Sequence, residues 1–195
     1  RIARFNSRAE EPTGWRLEIH AGPDFLARLG RVEPGAVAIF SGRNRGKLRG
    51  ICAAIAAGMH VFADKPVIIR REDLGELAAV SQEAAGRGLL FRDLMTGRHD
   101  IFATLIGRLR RDALVFGEPL VGTPGQPGVE MASIHHIHKA VAGVPNRRPP
   151  WYFDTDEQGE GLADTGTHLV DRVHETLFPH CLLYTSDAAD DLTRV

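Results

Sequence analysis

The stretch GMHVFADKP, residues 58–66, is the most informative segment of this chain. It joins the end of a helix-like segment, KLRGICAAIAAGM at 47–59, to a short strand-like segment, HVFAD at 60–64. The helix-like segment carries its large apolar residues on one stripe, and Gly58 suits the position just after a helix. A helix followed at once by a short apolar strand is typical of proteins in which helices and parallel strands alternate.

The segments on either side continue this alternation. GAVAIFS at 35–41 is a short apolar run that predicts a strand buried on both faces. REDLGELAAVSQEAAGRG at 71–88 predicts a helix, and LLFRDL at 89–94 predicts a third strand. Upstream, PDFLARLGRV at 23–32 predicts a helix and WRLEI at 15–19 a short strand. Strand, helix, strand, helix, strand with short connections predicts an α/β fold with a parallel sheet.

The second half of the chain has a different pattern. DIFATLIGRLRR at 100–111 and GTHLVDRVHETLF at 166–178 predict helices, and VEMASIHHIHKAV at 129–141 predicts an extended segment of a sheet with one open face. The composition changes near residue 92. We therefore predict one domain over residues 1–92 and a second α/β domain, with an open-faced sheet, over residues 93–180.

Composition and charge exclude several classes of partner. The chain has 195 residues, of which 43% are hydrophobic and 25% charged, with a formal net charge of −1. We expect no nucleic-acid partner, since no basic patch stands out, and no membrane span, since no run of about 18 apolar residues occurs. A cytoplasmic location is the default expectation. An export signal stays open because the chain begins at Arg1 and not at Met.

The last fifteen residues, CLLYTSDAADDLTRV at 181–195, have an unusual source. All ten residues of CLLYTSDAAD match one reading frame of a transposase adapter used in short-read library preparation. A natural polar tail is the alternative. We interpret 181–195 as a non-native tail, which leaves Cys52 as the only native cysteine. The chain is then expected to be an internal piece of a longer protein, truncated at both ends, and to be inactive by itself.

Two short motifs carry candidate chemistry. Asp64-Lys65-Pro66 directly follows a predicted strand, and ligands of parallel sheets bind beyond the carboxyl ends of strands. Pro66 also restricts Lys65 to extended geometry. In LADTGTHLVD, residues 162–171, Asp164 and His168 stand four residues apart and would share one face of a helix. From spacing alone, the first motif could equally be a solvated turn, and the second a surface pair.

The same motifs carry a family resemblance. AAIAAGMHVFADKP at 53–66 resembles the helix–strand–(Glu/Asp)-Lys-Pro signature of the Gfo/Idh/MocA family, named for glucose-fructose oxidoreductase and inositol dehydrogenase. LADTGTHLVD resembles the second signature of that family. Residues 133–171 further resemble the branch with the "putative oxidoreductase" C-terminal domain. The resemblance extends over about residues 15–180.

This resemblance implies a partial Rossmann domain that binds NAD or NADP, followed by a substrate domain. It implies hydride transfer between the cofactor and a sugar, polyol or related hydroxy compound, with Lys65 as the catalytic lysine and Asp164 and His168 as the acid/base pair. The implied cofactor-binding residues are Ser41, Asn44, Asp64 and Lys65. The NAD-using glycoside-cleaving enzymes of the same fold, or a non-catalytic sugar-binding or regulatory module, are alternatives.

Two departures from the family pattern are visible. The glycine-rich GxGxxG loop is absent and is expected before residue 1. The loop SGRNRGK at 41–47 replaces the usual Thr-Pro-Asn and His, and its Arg43, Arg45 and Lys47 make it basic. Such a loop would favour a phosphate-bearing cofactor, or it is simply solvated.

The remaining candidates concern the substrate. In a strand, His136 and His138 share a face, and two histidines are too few for a metal site unless a carboxylate joins them. We therefore expect no metal and interpret both as pocket lining. Trp151 and Tyr152 are either core aromatics or a sugar-stacking platform, and Trp151 is the third substrate-binding candidate. The expected partners are a small carbohydrate-like substrate and, in the longer protein, further copies of the same chain.

Overall fold

The centre of the molecule is a parallel sheet of three strands. The computed structural model describes residues 2–20, 22, 24–118, 120–132 and 139–177. The sheet has the order β1-β2-β3, in which β1 is Val37–Phe40, β2 is His60–Ala63 and β3 is Phe91–Asp93. Both strand pairs are parallel. The predicted α/β architecture is confirmed.

Helices connect consecutive strands, as the apolar spacing predicts. The helices of this half are α1 (Ile2–Asn6), α2 (Phe25–Leu29), α3 (Lys47–Ala56) and α4 (Leu74–Gly86), the last preceded by a 3₁₀ turn at Arg71–Asp73. Helix α3 joins β1 to β2 and packs on both strands, while α4 joins β2 to β3. Gly58, just after α3, has a positive φ of 80°, a backbone conformation that glycine adopts without strain.

The core lies between α3, α4 and one face of the sheet. Ile51 and Ile55 of α3 and Val61 of β2 have no exposed surface. Burial of each such side chain contributes about 1.5–3 kcal/mol to folding. Helix α3 approaches β1 closely at Gly50, where an added Cβ would lie 2.6 Å from the Phe40 ring. The absence of a side chain there lets helix and strand meet.

Two of the sequence predictions about the first half are wrong. The strand β1 is buried on one face only, since Ala38 is buried while Val37 is 52% and Ile39 is 66% exposed. No described segment covers the side of β1 that carries these two residues. The segment at 15–19 is not a strand, because no described strand lies beside it to complete a ladder. Its backbone instead bonds the side chain of Asn6.

The second half contains short elements and one longer helix. They are α5 (Ile101–Leu109), α6 (Ala113–Phe116), an antiparallel hairpin of β4 (Lys139–Val141) and β5 (Val144–Asn146), a 3₁₀ turn at Pro150–Phe153, α7 (Thr155–Gln158), a π-helical turn at Leu162–Gly166, and α8 (Thr167–Leu177). Helix α5 begins at its predicted place because the Asp100 carboxylate accepts hydrogen bonds from the first backbone amides.

An arginine between two carboxylates attaches α8 to the sheet. Arg98 donates to both carboxylate oxygens of Asp93 at 3.0 Å and, through Nε, to Asp171 Oδ1 at 2.7 Å. Asp93 ends β3, and Asp171 is a buried residue of α8. A charge-assisted network of this kind fixes orientation as well as distance. It therefore holds α8 at the carboxyl end of the sheet, where the candidate site lies.

Among the described helices, none combines the length and the apolar character needed to span a bilayer. The predicted tail at 181–195 lies outside the described residues, as do His136 and His138. The predictions made for them stay predictions, and so does the domain boundary near residue 92.

Candidate active site

The carboxyl ends of β1 and β2 bring two of the predicted cofactor-binding segments together. The two strands pair with Phe40 beside Ala63, so Ser41 and Asp64 leave the sheet at the same edge. The backbone amide of Asp64 donates to the Phe40 carbonyl at 2.8 Å. Ser41 is exposed, while Asp64 and Lys65 are half-buried. Polar groups at this edge of a parallel sheet are placed where ligands bind.

Lys65 reaches from this edge to Asp164. Its Nζ lies 2.9 Å from Asp164 Oδ1, and it also donates to the Asp164 backbone carbonyl. Both side chains are largely buried, with 18% and 17% of their surface exposed. The Lys65–Pro66 peptide bond is cis. The structure thus brings together two of the three predicted catalytic residues, one from each half of the chain.

Tyr152 completes the surroundings of the carboxylate. Its hydroxyl donates to Asp164 Oδ2 at 3.1 Å, and the Arg148 guanidinium lies 4.4 Å from the centre of its ring. Partial burial raises the pKa of Tyr152, and the negative charge of Asp164 raises it further. The phenol therefore stays a donor at neutral pH. The sequence predicts Tyr152 in the core or on a sugar-stacking platform and gives no signal for this contact with Asp164.

The i+4 spacing of Asp164 and His168 predicts that both lie on one regular α-helix. The structure differs from this prediction. Asp164 lies in the π-helical turn, and His168 lies in the first turn of α8. A π turn takes more residues per turn than an α-helix, which changes the direction of its side chains. Such turns occur frequently at functional sites. The sequence gave no signal for this widening, because i+4 spacing alone cannot distinguish the two helix types.

His168 is exposed, yet its neighbours shift the pKa of its imidazole. Partial desolvation lowers the pKa of the imidazole, and the Lys65 ammonium lowers it further, while the carboxylates of Asp164, Asp171 and Asp64 oppose the shift. A histidine with a pKa below its usual value is neutral near pH 7 and can accept a proton. The imidazole therefore shares the electrostatic surroundings of Lys65 and Asp164.

The basic loop at 41–47 contacts the second half of the chain. Arg43 and Arg45 both pair with Glu157 of α7, at 3.4 and 3.1 Å. The backbone amide of Arg45 also donates to the Glu157 carbonyl at 2.9 Å. Both arginine side chains keep more than half of their surface exposed, as in a solvated loop, and the preference for a phosphate-bearing cofactor stays a prediction. The two arginines also join the loop to α7.

Asn44, a predicted cofactor-binding residue, is buried and engaged within the protein. Its Nδ2 donates to the Gln158 carbonyl at 2.8 Å, and its Oδ1 accepts a hydrogen bond from Lys47. Lys47 itself is buried at the start of α3. From the sequence, Lys47 is only one of three basic residues in the loop at 41–47. The signal that could have distinguished it is the rarity of lysine, since the chain has three lysines and 21 arginines.

Trp151 packs against this loop. The Arg43 guanidinium lies 4.7 Å from the centre of its ring, and the Tyr152 ring meets it edge-on. Because Arg43 occupies one face of the indole, only the other face is left for a stacked sugar. Among the described residues, no group of three or more His, Cys, Asp or Glu side chains is arranged to hold a metal ion.

Known proteins resemble this chain in sequence and in fold. Residues 106–191 match the family described as "Putative oxidoreductase C terminal domain". A solved "putative oxidoreductase" from Parabacteroides merdae has a TM-score of 0.80 and 36% sequence identity, over 93% of this chain and 42% of that one. The second half of the chain thus matches the C-terminal domain of putative oxidoreductases, and the chain shares its fold with the Parabacteroides merdae protein. No curated protein matches it in sequence.

More distant structures share the fold of this chain. An NAD-binding protein from Listeria innocua has a TM-score of 0.57 and 19% identity, over 83% of this chain and 40% of that one. An oxidoreductase domain protein from Kribbella flavida has a TM-score of 0.52 and 19% identity, over 76% and 37%. The chain thus spans less than half the length of these relatives.

The family match includes Tyr152, Asp164 and His168, whereas Lys65 lies outside it. The match also runs to residue 191, into the segment interpreted as a tail, and the interpretation of that segment stays a prediction.

Proposed function

We propose that the protein is an NAD- or NADP-dependent oxidoreductase that transfers a hydride between the cofactor and a sugar, polyol or related hydroxy compound. The observation that carries the proposal is the partly buried Lys65–Asp164 pair at the carboxyl end of β2, together with the lowered pKa of His168, to which the Lys65 ammonium contributes. Perturbed titratable groups gathered at a ligand-binding edge are typical of catalytic sites.

The residues at the sheet edge fit a nicotinamide cofactor. The Ser41 hydroxyl, the Asp64 carboxylate and the Lys65 ammonium lie at the ends of neighbouring strands, and such groups can bind ribose hydroxyls. The cofactor, when bound, supplies the hydride chemistry. The structural likeness to a protein named for NAD binding supports this assignment.

The chain itself supplies proton handling and charge stabilisation. His168 accepts the proton of the substrate hydroxyl, because its lowered pKa keeps the imidazole neutral near pH 7. Lys65 donates a hydrogen bond to the same oxygen and stabilises the negative charge that develops there. Asp164 holds the Lys65 ammonium in place, and the Tyr152 hydroxyl holds the second oxygen of Asp164.

The test combines binding and turnover in the full-length protein, because this chain spans less than half the length of its relatives and is expected to be inactive by itself. Calorimetry with NAD and NADP measures cofactor affinity, and the absorbance of reduced nicotinamide measures turnover of a panel of sugars and polyols. We expect binding of one cofactor and reduction of it by at least one substrate, with turnover lost in Lys65→Met. Binding without any turnover would favour a sugar-binding or regulatory module. A retained cofactor with cleavage of a glycoside and no net reduction would favour the glycoside-cleaving class.

A further inference from the structure

Lys47 is buried directly behind the turn that carries Lys65. It is the first residue of α3 and is 5% exposed. Its ammonium donates three hydrogen bonds, to Asn44 Oδ1 at 2.7 Å, to the Asp64 carbonyl at 2.8 Å and to the Pro66 carbonyl at 3.0 Å. Two of these acceptors belong to the residues immediately before and after Lys65. The ammonium therefore fixes the backbone on both sides of the candidate catalytic lysine.

The hydrogen bond from Lys47 to Asn44 connects Lys47 to the other half of the chain. The Asn44 amide that accepts from Lys47 donates in turn to the Gln158 carbonyl at 2.8 Å. Gln158 is the last residue of α7, and the π-helical turn with Asp164 begins a few residues later. Lys47 is thus connected, through one amide group, to the segment that carries the partner of Lys65.

We propose that Lys47 is a positioning residue, whose ammonium holds the Asp64-Lys65-Pro66 turn so that the Lys65 amine meets Asp164. The inference rests on the proposed function for its effect on catalysis, but not for its effect on the geometry of Lys65. The Lys47 ammonium bonds only groups of Asn44, Asp64 and Pro66 among the described residues, so its effect on the reaction would pass through Lys65.

The number of donors makes the protonated form necessary. A lysine ammonium has three N–H donors, and the neutral amine has two. With three acceptors around Lys47, deprotonation leaves one of them without its partner. A buried acceptor without a partner costs about 1–3 kcal/mol, so the turn is expected to rearrange. Loss of the Lys47 proton should therefore loosen the position of Lys65.

This proton is lost close to physiological pH. Burial lowers the pKa of Lys47 from 10.5 to about 8, and the Lys65 ammonium lowers it as well, against the opposing carboxylates of Asp64 and Asp164. These are the charged groups that act on Lys47, two from the turn after β2 and one from the π-helical turn. Below about pH 8 the ammonium holds all three acceptors, and above it one contact is lost.

Global stability should change in the opposite direction. Between about pH 8 and 10.5 the unfolded chain keeps the Lys47 proton while the folded chain has released it. The free energy of unfolding then rises with pH across this window, since the unfolded state binds more protons. A residue with a purely structural role would lower activity and stability together. A positioning residue that titrates near pH 8 lowers the order at Lys65 while the fold gains stability.

Lysine-selective NMR provides a test that does not depend on turnover. Because the chain has only three lysines, labelling lysine Cε with ¹³C yields three signals, which Lys47→Met and Lys139→Met assign. We expect the Lys47 signal to titrate near pH 8, and the Lys65 signal to shift and broaden with the same midpoint. Lys47→Met should displace and broaden the Lys65 signal already at pH 7. Lys139→Met, the same change on the exposed hairpin, should leave it unchanged.

A Lys65 signal that ignores both the titration of Lys47 and the substitution Lys47→Met would overturn the inference. If Lys47→Met does not fold, the titration of the unsubstituted protein decides alone.

Turnover provides the second arm. Lys47→Met should lower kcat by up to about a hundred-fold, the loss typical of a small misplacement of a catalytic group, with little change in substrate KM. The decline of kcat above pH 8 should disappear in this variant. An unchanged kcat and pH profile would contradict the positioning role. If no substrate turns over even without substitution, the proposed function fails, while the NMR result still decides the role of Lys47.

Discussion

Lys65 Nζ and Asp164 Oδ1 lie 2.9 Å apart although 99 residues separate them in the chain. Each side chain keeps less than a fifth of its surface exposed. A pair this sheltered is coupled more strongly than a surface ion pair, because water screens it less. The substitutions Lys65→Met and Asp164→Asn should therefore be strongly non-additive. A double-mutant cycle by urea denaturation should return a coupling of about 0.5–3 kcal/mol.

The exposed pair of Arg87 and Glu83 is the matched control for that cycle. These side chains lie 3.0 Å apart on α4 but are 40% and 48% exposed. Their coupling should be only about 0.3–0.5 kcal/mol. Equal couplings for the two pairs would mean that burial does not strengthen the Lys65–Asp164 contact.

Tyr152→Phe should remove one hydrogen bond and leave the ring in place. The hydroxyl is the donor to Asp164 Oδ2, while the ring lies under Arg148. We expect unfolding free energy to fall by about 1 kcal/mol and turnover to fall as well, because Asp164 loses one of its supports. The control adds Phe153→Tyr to the Tyr152→Phe variant. This places a hydroxyl on the next aromatic residue and should not restore turnover. Full turnover of Tyr152→Phe would exclude a role for the phenol.

The pH profile should identify His168 as the proton acceptor. Partial desolvation and the Lys65 ammonium lower the pKa of His168 below 6.5, so kcat/KM should rise with pH, with an inflection below 6.5, and then level off until the decline expected above pH 8 from Lys47. His168→Asn should abolish this limb and lower the rate by about a hundred- to ten-thousand-fold. His20→Asn, a histidine far along the chain from the site, should preserve both. Survival of the acid limb in His168→Asn would assign the base to another group.

The same shift has a consequence for stability. A histidine whose pKa is lowered in the folded state makes unfolding more costly as pH rises through that window, since the unfolded chain holds the proton longer. The contribution is complete above pH 6.5 and is lost as pH falls. The difference in unfolding free energy between the protein and His168→Asn should therefore shrink or reverse below pH 6, as measured by urea denaturation at several pH values.

Glu157→Gln should weaken the contact between the basic loop and α7, because two ion pairs are lost. Glu157 pairs with both Arg43 and Arg45 and keeps 18% of its side chain exposed. We expect a loss of about 1 kcal/mol in unfolding free energy that diminishes in high salt, since salt screens partly exposed charges. Asp156→Asn is the matched control, because Asp156 is 79% exposed and its contact with Arg70 is 3.9 Å long. Equal losses for the two variants would show that Glu157 has no special role.

Local pattern was sufficient for the elements around the sheet. The apolar stripe with Ile51 and Ile55 predicted α3, Gly58 predicted its end, and HVFAD predicted β2. These features depend on residues a few positions apart, so spacing reports them directly. The same pattern could not tell that one side of β1 would be exposed at Val37 and Ile39, because exposure depends on which segments pack there.

The α/β alternation follows from local patterns of the sequence, and the resemblance of two motifs to a known family named Lys65, Asp164 and His168 as candidates. The packing of the two halves adds that Lys65 meets Asp164, that Tyr152 supports the second oxygen of Asp164, and that Lys47 lies behind the turn. Hydrogen bonds act over about 3 Å and are indifferent to separation along the chain. Which donor meets which acceptor is therefore settled by how the two halves pack, which no local spacing encodes.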